Sequence, residues 1–143
     1  MIYAFDTDIF SLLLRGHTRV AGRYSELVKS TEHRFVLPAV VRIELLEGRF
    51  ASIVKAPDGP AVLKAFSLLE RTERAIDEYS ILPIDQRVAD LYSGFRKDLK
   101  TRNSRVKDLQ IACIALAHDA TLVTRNTKDF AIVPGLKLEN WAD

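Results

Sequence analysis

The sequence lacks the features that mark secreted, membrane and fibrous proteins. It has one cysteine, so no disulfide can form within the chain. Its apolar runs, such as 39–41 and 111–117, are far shorter than the roughly 20 residues that a membrane span requires. The first residues contain no basic segment, apolar stretch or cleavage site of a secretory signal, which favours a cytoplasmic protein. Six glycines and five prolines in 143 residues argue against a fibrous or low-complexity chain.

An excess of charge of one sign is also missing. The 21 basic and 19 acidic residues give a net charge of +2, which by itself says little about binding to nucleic acid. One local exception is a basic stretch without aromatic residues, which either contacts phosphates or is a solvated helix end. This stretch contains Lys97, Lys100, Arg102, Arg105 and Lys107.

The residues that are present predict one compact α/β domain spanning 1–143. Short apolar runs predict strands at 2–5, 35–37, 81–84 and 121–124, with a further edge strand at 136–138. Between them, apolar residues at helical spacing predict helices, including one that reaches Gly48 and a buried one at 109–117; 125–129 is expected to be a polar loop. This alternation favours a three-layer α/β/α domain with a central, mostly parallel sheet of four to five strands.

Polar side chains that follow strands or begin helices are the first candidates for a site, because the carboxyl edge of a parallel sheet holds the functional crevice. Six of them fall near that edge: Asp6, Asp8, Glu44, Asp108, Asn126 and Asp129. If several of these carboxylates converge, a divalent cation is needed to offset their repulsion. Oxygen ligands without histidine favour Mg²⁺ or Mn²⁺, which act on phosphate esters by activating water.

Each acid also has a structural interpretation. Asp6 or Asp8 can cap the first helix, and Asp108 can be a first-turn acid that interacts favourably with the helix dipole. Glu44 can face solvent and pair with a base, and Glu47 competes with it for any role. Position alone therefore does not separate a metal site from helix capping.

The order and spacing of four segments resemble the motif series of the PIN-domain family, in its VapC branch. These segments are YAFDTDI (residues 3–9), VRIELLEG (41–48), KDLQIA (107–112) and LVTRNTKDF (122–130). The ending, with PGL at 134–136 and ENW at 139–141, is similar as well. The resemblance covers essentially the whole chain.

The resemblance implies an acidic metal-binding core and a nuclease activity. Asp6, Glu44 and Asp108 would hold Mg²⁺ or Mn²⁺, and the reaction would be endonucleolytic hydrolysis of RNA, whether transfer, ribosomal or messenger RNA. Asn126 occupies the position of a fourth acid in many relatives, so that this role is weakened or passes to Asp129.

Further implications concern supporting residues and partners. Hydroxyl groups of Thr7 and Thr124 would support the site, and Asp8 stands where many relatives have asparagine. The expected protein partner is a VapB-like antitoxin whose tail covers the acidic pocket and an apolar groove between helices. A homodimer is also expected.

The sequence is also compatible with two alternative functions. Asp6-Thr7-Asp8 is similar to the opening motif of haloacid-dehalogenase-type phosphatases, but Ile9 and Phe10 do not fit that motif and no later Gly-Asp segment is present. The other alternative is a PIN-like scaffold that binds RNA or protein without catalysis.

Overall fold

The computed structural model describes residues 1–99 and 105–143, so that Lys100 and Arg102 of the basic stretch lie outside the described residues. The five strands are β1 (Ile2–Phe5), β2 (Arg34–Pro38), β3 (Ser80–Leu82), β4 (Thr121–Val123) and β5 (Lys137–Glu139). The seven helices of the described ranges are α1 (Thr7–Leu14), α2 (Thr18–Leu27), α3 (Ala39–Val54), α4 (Gly59–Asp77), α5 (Gln86–Asp98), α6 (Val106–Ala117) and α7 (Thr127–Phe130).

The strands form a single parallel sheet in the order β3-β2-β1-β4-β5. Parallel strands need crossover connections, and the helices that supply them flank the sheet. The predicted α/β/α architecture with a mostly parallel sheet is therefore confirmed. Over residues 1–99 and 105–143, no helix is both long and apolar enough to cross a bilayer.

The core forms because side chains on alternate strand positions point to opposite faces of the sheet. On one face, Tyr3 and Phe5 of β1 stack on Phe35 of β2, with ring centroids 5.8 and 6.0 Å apart. Tyr24 of α2 and Trp141 pack edge-on against this aromatic row. Elsewhere in the core, α6 is buried almost all round, as its continuous apolar sequence predicts.

Several element boundaries shift by a few residues from the sequence-based expectation, and two differences are larger. Helix α3 does not end at Gly48 but continues to Val54, where its second half packs on α4 and Arg49 Nε donates to Thr72 Oγ1 at 3.0 Å. Tertiary packing here outweighs the low helix propensity of glycine, which costs about 1 kcal/mol.

The second difference is the segment expected to be a polar loop. Part of it forms the short helix α7, in which the N–H groups of Asp129 and Phe130 donate to the carbonyl of Asn126 at 3.1 and 3.3 Å. Phe130 is buried, with 3% of its surface exposed, and its burial accounts for the closed turn.

Candidate active site

The carboxyl ends of β1 and β4 lie side by side where the strand order reverses. Phe5 is opposite Val123, and the chain continues from β1 and β4 toward opposite edges of the sheet. Parallel sheets of this kind bind ligands in the crevice outside such a switch point. Asp6 and Thr124 follow these two strands directly. The topology thus assigns the first acid of the sequence to the expected binding crevice.

Asp6 is the most constrained acid of the site. Its Oδ1 accepts the Ile9 N–H at 2.8 Å, which caps α1, and only 6% of the residue is exposed. The Thr124 hydroxyl donates to the Asp6 carboxylate and accepts the Asn126 N–H at 3.0 Å. The capping role and the site role considered for Asp6 are therefore compatible, since one oxygen caps the helix and the carboxylate still faces the crevice.

Glu44 and Asp108 reach the same region from two helices. Glu44 lies in the second turn of α3, which begins directly after β2, and Asp108 lies in the first turn of α6. Both residues are partly buried. The Thr7 hydroxyl donates to Glu44 Oε1 at 2.8 Å, so the residue after Asp6 holds the carboxylate of α3 in place.

One open cleft of about 140 Å³ is shared by these side chains. It is lined by Asp6, Thr7, Asp8, Glu44, Asp108, Ile111, Asn126 and Phe130. Four carboxylates from three separate segments of the chain thus face one small volume. An arrangement of this kind attracts cations and repels anions unless its charge is compensated.

Asp129 is not part of the wall of this cleft. It lines a smaller neighbouring cavity together with Arg105, and its Oδ1 is 3.0 Å from Arg105 Nη1. Asp108 and Phe130 line both cavities, so the cavity of Asp129 adjoins the acidic cleft. Of the two residues considered for the fourth position, the structure brings Asn126 to the cleft and pairs Asp129 with an arginine.

Burial changes the acidity of two of the carboxyl groups. Burial raises the pKa of Asp6 to about 6, although the hydrogen bonds from Thr124 and Ile9 lower it. The charges of Asp8 and Asp108 add to the rise. Burial also raises the pKa of Asp108, with a contribution from the nearby Asp129 charge. Both groups are therefore less stable as anions than ordinary surface carboxylates, and a bound cation would reverse this.

The donor set fits a hard divalent cation. In the described ranges 1–99 and 105–143, no three Asp, Glu, His or Cys side chains stand close enough to hold one ion directly. Mg²⁺ commonly binds through one or two carboxylates and keeps several of its waters, so it does not need such a closed cage. An oxygen-only cleft of about 140 Å³ leaves room for those waters.

Sequence reasoning missed several residues around the site. Ile111 and Phe130 form its apolar wall, and their burial gave no signal beyond core formation. The sequence analysis included Arg105 only in a basic stretch, Lys107 in that stretch and in the segment 107–112, and Arg125 only in the segment 122–130. Their proximity to the acids depends on how the loops fold back over the sheet, which local sequence does not encode.

Comparison with known proteins agrees with this geometry. The family described as PIN domain matches residues 3–136. Ribonuclease VapC1 of Haemophilus influenzae strain R2866 is 30% identical over 144 residues, covering 99% of this chain and 98% of the relative. Ribonuclease VapC2 of Rickettsia felis is 31% identical over 143 residues, with the same coverage. The solved structure of VapBC-1 from nontypeable Haemophilus influenzae superposes with a TM-score of 0.76 at 26% identity, covering 100% of both chains.

The fold, the acidic cleft and the match over most of the chain define the class: this chain belongs to the PIN-domain family. Within that family it belongs with the VapC ribonucleases, because its relatives of that name align with it almost from end to end. This assignment rules out the haloacid-dehalogenase-type phosphatase considered from the first motif.

Proposed function

We propose that this protein is a metal-dependent endoribonuclease that serves as the toxin of a type II, VapBC-like toxin–antitoxin pair. The observation that carries the proposal is the cleft at the β1/β4 switch point, where Asp6, Glu44 and Asp108 come together from separate segments. A scaffold that bound RNA or protein without catalysis would gain nothing from mutually repelling carboxylates in one partly buried pocket.

Asp6, Glu44 and Asp108 would hold Mg²⁺ or Mn²⁺, partly through the water molecules that such an ion keeps, and Asn126 would complete the site with a neutral oxygen. When bound, the ion supplies the charge that activates water and offsets the negative phosphate. The protein's own hydroxyl groups keep the carboxylates oriented, since Thr7 donates to Glu44 and Thr124 donates to Asp6. Hydrolysis with water as the nucleophile leaves a 5′-phosphate and a 3′-hydroxyl on the cleaved RNA.

Purified variants test the catalytic assignment. Asp6→Asn, Glu44→Gln and Asp108→Asn should each reduce RNA cleavage in Mg²⁺ or Mn²⁺ at least 100-fold, because each removes one negative ligand. Glu70→Gln and Asp90→Asn are matched controls on exposed positions of α4 and α5, outside the cleft, and should cleave at the wild-type rate. If a variant of Asp6, Glu44 or Asp108 cleaves RNA at close to the parental rate, that residue is not part of the catalytic site. Cleavage of RNA by the wild type without any divalent metal would overturn the proposed mechanism.

The expected protein partner is a VapB-like antitoxin. The similar structure from nontypeable Haemophilus influenzae is that of VapBC-1, and this chain carries an exposed apolar surface on α3 and α4 that fits such a partner. Five large apolar side chains there are 39–85% exposed: Phe50, Val54, Val62, Leu63 and Phe66. The same two helices, together with α1, also line a groove of about 560 Å³. Apolar patches of this kind usually mark a protein interface.

Co-expression with the protein encoded next to this one tests the pair. We expect the two to co-purify, the complex to suppress RNA cleavage, and Leu63→Asp to weaken the complex without unfolding the chain, since 72% of Leu63 is exposed. A homodimer is also proposed, and light scattering of the chain alone and of the complex measures it. Recovery of this chain only as an active monomer from cells that express both proteins would contradict the partner and the dimer.

A further inference from the structure

Three basic side chains neighbour residues of the acidic cleft, and each is paired with a carboxylate outside the proposed metal core. We call them the basic rim: Arg105, Lys107 and Arg125. Their side chains are 47, 51 and 49% exposed, so all three can be reached from solvent.

Arg105 stands on the α6 side of the cleft. It directly precedes α6, and it lines the small cavity that shares Asp108 and Phe130 with the acidic cleft. Its guanidinium is paired with Asp129 at 3.0 Å. The same positive charge lowers the pKa of Asp108, against the rise that burial and Asp129 cause.

Lys107 stands where α6 meets α3. Its Nζ donates to Glu47 Oε2 at 2.9 Å, and Glu47 lies one helical turn beyond Glu44. Lys107 is also the residue before Asp108, so that it flanks the cleft between two of its acids. Its pKa is raised chiefly by the hydrogen bond and charge of Glu47, with a smaller contribution from Glu44.

Arg125 stands on the opposite side, at the end of β4. It follows Thr124 and precedes Asn126 of the cleft wall. Its guanidinium is forked on Asp143, with Nη2 3.1 Å from Oδ1 and Nε 3.4 Å from Oδ2. The pKa of Arg125 is raised chiefly by Asp143, and Asp8 at the mouth of the cleft adds to this effect.

The basic rim would offset the repulsion between the acidic cleft and the negatively charged RNA backbone. The backbone of RNA is negative on both sides of the bond to be cleaved, whereas the cleft presents four carboxylates. A bound cation compensates charge at the centre only, so the flanking phosphates need cations on the protein. Exposed ion pairs contribute little to stability, which makes an exchange of a carboxylate partner for a phosphate inexpensive. Guanidinium groups bind phosphate in the same forked geometry as carboxylate.

We propose that Arg105, Lys107 and Arg125 bind the RNA phosphates on both sides of the cleavage position, exchanging their carboxylate partners for the substrate backbone. This inference rests on the proposed ribonuclease function and adds the residues that contact its substrate. It assigns the rim to substrate binding and leaves the chemical step to the cleft.

Fluorescence anisotropy with a short, fluorescein-labelled, single-stranded RNA of mixed sequence tests the proposal, with Ca²⁺ in place of Mg²⁺ to limit cleavage. Arg105→Gln, Lys107→Gln and Arg125→Gln should each raise the Kd about three- to tenfold at low salt. Each should also reduce the slope of log Kd against log salt by about 0.7, the value for one lost phosphate contact on a single strand. Arg125→Lys should keep the wild-type slope, because it keeps the charge.

Two control variants remove a positive charge at the amino-terminal ends of strands, away from the carboxyl ends that form the cleft. Lys137 begins β5 and is paired with Asp119 at 3.0 Å with 47% exposure, which matches Lys107 closely. Arg34 begins β2 and is exposed. Lys137→Gln and Arg34→Gln should leave the Kd and its salt slope unchanged.

The outcomes separate this inference from the proposed function. If the rim variants bind RNA with the Kd and salt slope of the controls while the wild type still cleaves RNA, the proposed role of the basic rim is refuted and the proposed ribonuclease function is retained. If the rim variants bind RNA more weakly but Asp6→Asn cleaves RNA like the wild type, the role of the basic rim is supported and the assignment of Asp6 to the catalytic site is refuted. In cleavage assays the rim variants should raise KM with little change in kcat, and a fall in kcat alone would contradict a binding role.

Discussion

Replacement of Asp6 by asparagine should stabilise the metal-free protein at neutral pH. Burial holds the pKa of Asp6 at about 6 instead of 3.8. At about 1.4 kcal/mol per pKa unit, the ionised group therefore costs up to roughly 3 kcal/mol of folding free energy. Asparagine caps helices as well as aspartate does, so the bond from the Ile9 N–H is retained while the buried charge is removed.

The effect has a defined pH window. Between about pH 4 and pH 6 the folded protein keeps a proton on Asp6 that the unfolded chain has already lost. The free energy of unfolding of the wild type therefore falls as the pH rises through this window and stays low above it. Asp6→Asn should lack this fall, so that the two proteins have similar stability near pH 4 and differ most near pH 8.

Urea unfolding in EDTA at both pH values measures the difference, which corresponds to several degrees in Tm at roughly 2–4 °C per kcal/mol. Asp58→Asn is the matched control, because Asp58 caps α4 in the same way, accepting the Ala61 N–H at 2.9 Å, but is exposed. It should show no stabilisation at either pH. Equal stability of wild type and Asp6→Asn near pH 8 would refute the argument that burial of this carboxylate is costly.

Added Mn²⁺ should close most of this gap between the stability of the wild type and that of Asp6→Asn. A ligand at 100 times its Kd stabilises the folded state by about 2.7 kcal/mol, and the wild type retains the carboxylate that binds it. Asp6→Asn should gain much less. A variant that gains as much from Mn²⁺ as the wild type would exclude Asp6 as a ligand.

Three further predictions concern single side chains. Thr7→Val should slow RNA cleavage about tenfold because Glu44 loses its 2.8 Å hydrogen bond, whereas Thr7→Ser should keep most of the rate; equal rates for both variants would show that the bond is not needed. Asn126→Ala should lower kcat, since Asn126 lines the cleft, whereas Asp129→Ala should act mainly on KM through its arginine partner, and the reverse pattern would place Asp129 in the catalytic site. The thiol of Cys113 is buried and its pKa is raised to about 11 by burial, so it should resist a thiol reagent at about pH 8 until the chain unfolds; fast reaction of the native protein would contradict this.

Much of the fold could be predicted because its signals are local. The apolar run that ends at Asp6 predicts a buried strand, and the cap considered for the first helix is present, because Asp6 Oδ1 accepts the Ile9 N–H at 2.8 Å. The errors arose where distant contacts outweigh local preference. Helix α3 passes Gly48 because it packs on α4, and the loop after β4 closes into α7 as Phe130 becomes buried.

The candidate site, like the fold, could be predicted only in part from the sequence. By itself the sequence determined the types of side chain at the strand ends and helix starts, since periodicity and capping act within a few residues, and its motifs were enough to indicate the family. The tertiary structure decided which polar groups meet: Asn126 lines the cleft, Asp129 pairs with Arg105, and Arg125 is held by Asp143. Ion pairs and desolvation depend on distances between segments far apart in the chain, so the raised pKa of Asp6 and the basic rim exist only once the loops have folded over the sheet.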